Sequence, residues 1–139
     1  MGIKMIKISV CDDDEGQLTF FKQCFMEYNE KHKEKIEANF YQSVQSLLNE
    51  KKFSPDVYFL DIELQDGNGL KLAGKIRTRN SKIPIVFITS HEEFMPEAFQ
   101  VHAYQYLNEK KNAQAVENVL NQLADYFSEQ NQIFSFQTY

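Results

Sequence analysis

The sequence has few of the residues that mark several common classes of protein. It has only two cysteines, Cys11 and Cys24, and their spacing fits neither a metal-binding nor a redox motif. Both lie in apolar runs, so we expect buried free thiols in a reducing cytoplasm. No apolar stretch approaches the roughly 20 residues of a membrane helix, and the opening MGIKMIKISV is too short and polar for a secretory signal. These absences favour a cytoplasmic protein without membrane contact.

Positive charge is also scarce. Fifteen Lys and Arg residues stand against twenty Asp and Glu residues, which gives a net charge of −5. An acidic chain is a poor non-specific binder of nucleic acid, so we expect another domain to make any contact with DNA. We expect the closely spaced basic residues of the middle segment to form a solvated helix face: Lys71, Lys75, Arg77 and Arg79. With 139 residues, 42% of them apolar, the chain has the size of one globular domain.

Hydrophobic periodicity alternates along the chain between short strand-like runs and helical spacing. Five apolar runs predict strands, at 5–10, 36–41, 56–60, 83–89 and 103–107. Helical spacing, with capping residues such as Ser43 and Asn112, predicts a helix after each strand. Five successive strand–helix units require parallel strands joined by right-handed crossovers. We therefore predict an α/β fold, with a doubly wound five-stranded parallel sheet and helices on both faces.

Acidic residues follow the predicted strands at their carboxyl ends, where doubly wound sheets place their sites. Asp12 and Asp13 follow the first strand, and Asp61 follows the third. Carboxylates brought together there repel by about 4 kcal/mol per pair at about 4 Å, which is relieved by raised pKa values or a bound cation. Hard oxygen ligands suit Mg²⁺, and Mg²⁺ beside a carboxylate nucleophile suits phosphoryl transfer.

The acidic run CDDDE has a simpler explanation when taken alone. Asp14 and Glu15 at the start of a helix interact favourably with its macrodipole, so the run can serve only as a cap. Asp61 directly follows the apolar residues VYFL, where an unused charge is costly. The pairing of these two segments favours a functional site.

These segments together resemble the receiver domain of two-component response regulators. The similar pieces are VCDDDE, PDVYFLDIELQDGNGL, IVFITS and AYQYL, in the family's order and spacing over about residues 3–127. The forms CDDD, LDIEL and SHEEFMPEAFQVHAYQYL are most similar to receivers attached to LytTR-type DNA-binding domains. The resemblance implies a flavodoxin-like sheet with strand order 2-1-3-4-5, in a regulator that is not a metabolic enzyme.

The resemblance also implies which residues hold the phosphoryl group and the metal. Asp61 would be the phosphoacceptor, and a sensor histidine kinase would be the donor. Asp13 would bind Mg²⁺ directly and Asp12 through water, with Asp61 as a further ligand. Glu63 would offer its backbone carbonyl to the same ion.

The switch that follows phosphorylation is implied by the same resemblance. Thr89 would be the hydroxyl that moves towards the phosphoryl group, and Tyr106 would be the switch aromatic on the fifth strand. Tyr104 is a nearby rival, and a core role for Tyr106 stays open. The charge change would reach the face formed by helix 4, strand 5 and helix 5, which would form a homodimer or release an effector.

Two positions depart from the family. Receivers usually have Lys-Pro after the fifth strand, where an ungapped register places Glu109 and Lys110. A cis bond between non-proline residues costs about 3–4 kcal/mol, so we expect a trans link and a changed loop path. A one-residue bulge would deliver Lys110 or Lys111 to the site; otherwise Glu109 faces solvent or adds to the acidic cluster. Gln65 stands where the loop after the phosphoacceptor commonly has proline, which alters loop rigidity more than chemistry.

The chain divides near residue 128. We expect a receiver domain over 1–128, and over 129–139 a linker or the truncated start of a C-terminal LytTR-like effector domain. The apolar residues of this tail have the pattern of an opening strand: Ile133, Phe134, Phe136 and Tyr139. An ordinary C-terminal extension packed on the domain is the alternative.

Three functions compete for this sequence. The first is a phosphorylation-dependent switch that regulates transcription. The second is a pseudo-receiver, a protein-interaction module independent of phosphorylation, which Glu109 at the usual lysine position supports. The third is a phosphohydrolase with Asp61 as nucleophile; it is disfavoured because such enzymes need Asp-x-Asp, whereas this chain has Asp61-Ile62-Glu63.

Overall fold

A computed structural model describes the backbone of residues 5–137 and the side chains of residues 5–130. The five sheet strands are β1 (Met5–Cys11), β2 (Lys35–Tyr41), β3 (Val57–Leu60), β4 (Ile85–Ile88) and β5 (Gln105–Leu107). The helices are α1 (Glu15–Lys31), α2 (Val44–Leu48), α3 (Gly69–Arg79), α4 (Met95–Gln100) and α5 (Ala113–Gln137). Between β3 and α3 the chain forms a separate small hairpin, Glu63–Leu64 with Gly67–Asn68. A short 3₁₀ turn, Glu92–Phe94, precedes α4.

The sheet is parallel, with strand order β2-β1-β3-β4-β5. Cys11 pairs with Leu60, Leu60 with Phe87, and Phe87 with Tyr106. The carboxyl ends of the central strands therefore lie at one level, and the residues that follow them meet at one edge. The predicted α/β fold and its strand order are confirmed.

Two apolar clusters cover the two faces of the sheet. The first joins α1 and α5 to the sheet, and Phe21 and Phe25 pack edge-on against Phe59 of β3. The second lies under α2, α3 and α4 and includes Leu72 and Ile76. Every residue of β4 is buried, as expected for a strand covered on both faces. Among residues 5–137, no helix is both long and apolar enough to cross a lipid bilayer.

Polar side chains cap four of the helices and fix the loops at the carboxyl edge. Each accepts a hydrogen bond from a backbone N–H of the first turn, which would otherwise lack a partner. The capping residues are Asp14, Ser43, Asn68 and Asn112. Ser43 and Asn112 confirm the sequence-based prediction of these helix starts.

The apolar residues of the C-terminal tail differ from the strand that their pattern predicts. Helix α5 continues to Gln137, so Ile133, Phe134 and Phe136 are helical rather than the opening of a strand. Extending an existing helix needs no new nucleation, whereas a strand needs a neighbour with which to pair. Tyr139 lies outside the described residues.

Arg77 also differs from its prediction. Its guanidinium donates to four backbone carbonyls, those of Ile83 at 2.6 Å, Val101 at 2.8 Å, His102 at 2.9 Å and Asn80 at 3.4 Å. The side chain therefore links α3 to the end of α4. The three other basic residues of this helix are exposed as expected: Lys71, Lys75 and Arg79.

Candidate functional site

Three carboxylates meet at the carboxyl edge of β1 and β3. Asp12 is 2% exposed and Asp61 is 8% exposed, while Asp13 is half-buried. Each of the three offers an oxygen, and these oxygens all lie within 4.8 Å of one another. The structure therefore brings together the carboxylates that the sequence placed at the ends of two separate strands.

Lys110 lies between the two buried carboxylates. Its Nζ is 2.8 Å from Oδ2 of Asp12 and 3.0 Å from Oδ2 of Asp61. The lysine comes from the loop after β5, one residue beyond the position that an ungapped register predicts. The alternative in which a one-residue displacement delivers Lys110 to the site is thus the arrangement found.

Glu109, the other candidate for this position, does not join the acidic cluster. It is exposed, and its Oε1 accepts a hydrogen bond of 3.4 Å from the side chain of Asn112. Lys111 is exposed as well. The peptide bonds of residues 5–137 include no cis bond, as predicted for a loop that lacks proline here.

The charges in the site do not balance. Burial raises the pKa of Asp61, and Asp12 raises it further, although the hydrogen bond and charge of Lys110 oppose this. Burial lowers the pKa of Lys110, but its hydrogen bonds to Asp12 and Asp61 outweigh burial and leave the pKa above its ordinary value. One ammonium therefore serves two carboxylates and is firmly protonated, while Asp61 remains incompletely neutralised.

This imbalance fits a divalent cation. With Asp13 included, three carboxylates and one ammonium leave two negative charges when all are ionised. The donors are hard oxygens, which Mg²⁺ prefers, and they line an open cleft of about 450 Å³ that admits further oxygen ligands. The residues present therefore fit Mg²⁺, with Asp12, Asp13 and Asp61 as its protein side chains.

The loop after β3 is held close to this cluster. The backbone N–H of Gln65 donates to Oδ2 of Asp13 at 3.0 Å, a bond that the proline common at this position could not form. Gly69 donates its N–H to the carbonyl of Ile62 at 2.8 Å. A Cβ on Gly69 would lie 2.0 Å from the carbonyl oxygen of Asp61, so only glycine allows this approach.

Thr89 and Tyr106 lie on the side of the cleft formed by β4 and β5. Thr89 is 1% exposed, lines the cleft with Asp61, and accepts a hydrogen bond of 3.3 Å from the N–H of His91. The hydroxyl of Tyr106 donates to the carbonyl of His91. Tyr104 instead packs edge-on against Tyr126 of α5. Of the two tyrosines, Tyr106 is therefore the one that contacts the segment following Thr89.

Glu63 lies in the hairpin beside the cleft, with its side chain exposed. Its Oε2 is 3.2 Å from Nε2 of His91, whose Nδ1 is 3.3 Å from Glu93. No sequence pattern indicates these two contacts of His91. They link the hairpin after Asp61 to the loop after Thr89.

Both cysteines are buried free thiols, as predicted. Burial raises the pKa of Cys11 to about 12, and the carboxylates of Asp66 and Asp12 add to this. Burial likewise raises the pKa of Cys24 to about 11. Neither thiol is ionised near neutral pH, so the cysteine beside the acidic site acts as a packing residue.

Comparison with known proteins agrees with this geometry. An uncharacterized response regulatory protein of Yersinia pestis is 29% identical over 120 residues, which cover 86% of this chain and 49% of that protein. The sensory transduction protein LytR of Staphylococcus haemolyticus is 32% identical over 68% of this chain and 36% of its own length. The chain thus spans about half, or less, of the length of these curated relatives.

Solved structures share the fold. The response regulatory domain of mrkE from Klebsiella pneumoniae has a TM-score of 0.76 at 22% identity, covering 89% of this chain and 99% of that one. The response regulator TrrA of Thermotoga maritima, solved with Mg²⁺ and BeF, has a TM-score of 0.71 at 22% identity, covering 86% and 99%. Residues 8–121 match the response regulator receiver domain family. This chain therefore belongs to the response regulator receiver domains, and its curated relatives include LytR-type regulators.

Proposed function

We propose that this receiver domain accepts a phosphoryl group on Asp61 and uses it to switch a surface that controls an effector. The observation that carries the proposal is the position of Asp61. Its carboxylate is buried beside Asp12, lies 3.0 Å from a lysine ammonium, and lines a cleft open to solvent. A nucleophile for phosphoryl transfer needs this combination of an oriented carboxylate and nearby positive charge.

The donor would be a phosphohistidine of a sensor kinase. A carboxylate oxygen of Asp61 forms the new P–O bond, and the P–N bond of the donor breaks with its electron pair kept by the imidazole nitrogen. The ammonium of Lys110 already lies beside this carboxylate, so it would stabilise the charge on the transferred oxygens. No redox change and no further reactant are needed.

Asp12, Asp13 and Asp61, with the backbone carbonyl of Glu63, would hold Mg²⁺. The ion would neutralise the phosphoryl oxygens and the excess charge of the carboxylates. Asp13 is oriented for this role by the N–H of Gln65, which occupies only one of its two oxygens. Asp12 is oriented at both oxygens, since its Oδ1 accepts from the N–H of Asp14 at 3.0 Å and its Oδ2 from Lys110 at 2.8 Å.

Thr89 and Tyr106 would transmit the change in charge. Thr89 lines the same cleft as Asp61, so a short movement would bring its hydroxyl to a phosphoryl oxygen. Tyr106 donates to the backbone carbonyl of His91, two residues after Thr89, so a movement of Thr89 would alter that contact. The surface of α4, β5 and α5 would respond; it carries Met95 and Phe99, which are 36% and 73% exposed.

This surface would pair with a second copy of the domain. Exposed apolar side chains grouped on one face, here Met95 and Phe99, are typical of an interaction site. We further propose that 129–139 connects the domain to a DNA-binding effector, because the LytR relatives are much longer than this chain. DNA would be bound only by that effector.

The test is incubation with Mg²⁺ and acetyl phosphate, followed by intact-mass measurement. One phosphoryl adduct is expected, absent from the Asp61→Asn variant and from a sample without Mg²⁺. Wild type that binds Mg²⁺ but gains no adduct from acetyl phosphate or from a phosphorylated kinase would contradict the proposal. That result would favour a pseudo-receiver, although Glu109, its main support, is exposed and outside the acidic cluster.

A further inference from the structure

Gln17 is a buried polar residue on the core-facing side of α1. It is 0% exposed, in a helix whose other buried positions include Leu18 and Phe21. Its Nε2 donates a hydrogen bond to the backbone carbonyl of Lys110, 93 residues away in sequence. Its Oε1 is buried and has no hydrogen-bond partner among the described residues.

This arrangement is unfavourable for stability alone. A buried amide with one unsatisfied oxygen costs free energy that an apolar side chain of similar volume would not. The position is on the apolar side of the helix, where leucine or methionine would suit the packing. The contact with Lys110 is therefore the one feature of Gln17 that an apolar residue could not reproduce.

The contact lies where the chain departs from its family. Receivers usually have Lys-Pro after the fifth strand, and this chain has Glu109-Lys110 with a trans backbone. Apart from the ion pairs of Lys110 and the Asn112 cap, the side-chain hydrogen bonds of this loop are exposed ones, from Asn108 to Glu92 and from Asn112 to Glu109. Gln17 instead holds the backbone of Lys110 itself from the protein interior.

We infer that Gln17 is a positioning residue for Lys110. By fixing the carbonyl of Lys110, it directs the Nζ atom between Asp12 and Asp61, where the distances are 2.8 and 3.0 Å. It thereby replaces the constraint that a proline would supply in this loop. The consequence for phosphorylation rests on the proposed function, but the position of the ammonium does not.

Gln17→Met is the variant that tests this inference, because it keeps the volume and removes the donor. Gln23→Met is the matched control: Gln23 is an exposed glutamine on the same helix, bonded to Glu27. The first readout is the rate at which acetic anhydride acylates Lys110, followed by peptide mass spectrometry without any phosphodonor. The second is the rate of phosphorylation by acetyl phosphate, and the third is the thermal midpoint.

We expect Gln17→Met to acylate several-fold faster at Lys110 and to be phosphorylated about tenfold more slowly, since small displacements of a catalytic group cost this much or more. Its thermal midpoint should be unchanged or higher, and Gln23→Met should match wild type in all three readouts. In a Lys110→Ala background, Gln17→Met should slow phosphorylation no further.

Two results would overturn the inference. One is wild-type acylation of Lys110 in Gln17→Met; the other is an equal slowing by Gln17→Met with and without Lys110. If Gln17→Met fails to fold, Gln17→Leu provides the same comparison, and failure of both would make Gln17 a structural residue. If wild type is never phosphorylated, the proposed function fails while the acylation result still decides the role of Gln17.

Discussion

The loops after β3 and after β5 both serve the acidic site, but they are held in different ways. The first, residues 61–68, is fixed beside the site by its own backbone: Gly69 lies too close to the carbonyl of Asp61 to carry a Cβ, and Gln65 offers its N–H to the carboxylate of Asp13. The side chain of Asp66 anchors only the tip of its hairpin. The second, residues 108–112, is fixed by side chains, through the ion pairs of Lys110 and the amide of Gln17.

This difference explains where the sequence can depart from its family. A backbone packed against a backbone leaves no room for even one carbon atom. A flexible lysine side chain can reach the same point from a neighbouring residue, provided that something else fixes its backbone. The lysine could therefore move by one position, whereas Gly69 has no substitute. Four predictions test this comparison.

The largest expected effect is that of Gly69→Ala. The added Cβ would lie 2.0 Å from the carbonyl oxygen of Asp61, so backbone must move. We expect a loss of about 3 kcal/mol in the free energy of unfolding, measured by urea denaturation. Gly74→Ala is the control: nothing lies within 4 Å of its Cβ, and it should stabilise the helix by about 0.5–1 kcal/mol. Equal changes in the free energy of unfolding for Gly69→Ala and Gly74→Ala would show that the loop after β3 is not sterically fixed.

The next effect is that of Lys110→Met. It leaves Asp12 and Asp61 buried without their cation, and we expect a loss of about 2–3 kcal/mol at neutral pH. Without Lys110, the pKa of Asp61 should rise further, because the lysine opposes the effect of burial. When the pH is lowered, the rate of phosphorylation should therefore begin to fall at a higher pH in Lys110→Met than in wild type.

Lys111→Met is the matched control for this variant. Lys111 is exposed and adjacent to Lys110 in sequence. Stability and the pH profile should stay close to those of wild type. If Lys111→Met has the larger effect, the wrong lysine has been assigned to the site.

A smaller effect, of opposite sign, is expected for Asp61→Asn. Burial raises the pKa of Asp61, so the ionised carboxylate destabilises the folded state above that pKa. The variant should melt a few degrees higher than wild type at neutral pH, by calorimetry without Mg²⁺. The difference should shrink as the pH falls through the raised pKa of Asp61, and it should vanish below the ordinary value of 3.8, where the carboxyl is protonated in both states. A lower melting temperature at neutral pH would show that the ion pair outweighs burial.

The smallest effect is expected for Asp66→Ala at the tip of the hairpin. The carboxylate accepts from the N–H groups of Val44 and Gln45, at 2.9 and 3.1 Å, which lower the pKa of Asp66. The ionised form therefore stabilises the fold above the ordinary pKa, and the benefit is lost as the pH falls through the lowered one. The variant should melt slightly below wild type at neutral pH and equal to it in acid. An equal difference at both pH values would exclude this linkage.

The order of strands and helices could be predicted from the sequence because periodicity and capping are local properties. The strand ends near Asp12 and Asp61 followed from the same patterns, and the parallel topology then placed these residues together. The tail could not be assigned in this way, because Ile133, Phe134 and Phe136 are compatible with a strand until the continuing helix is known.

The sequence by itself therefore determined the fold class and the acidic cluster, since both depend on residue type and spacing. Only the tertiary structure decided between Glu109 and Lys110, because the path of a loop depends on which groups hold it from outside. The group that holds the backbone of Lys110 is Gln17, far away in sequence on α1. Arg77 was likewise decided by distant partners, the carbonyls of Val101 and His102. Such contacts leave no local pattern, because the partner of a buried polar side chain is set by the packing of the whole sheet and its helices.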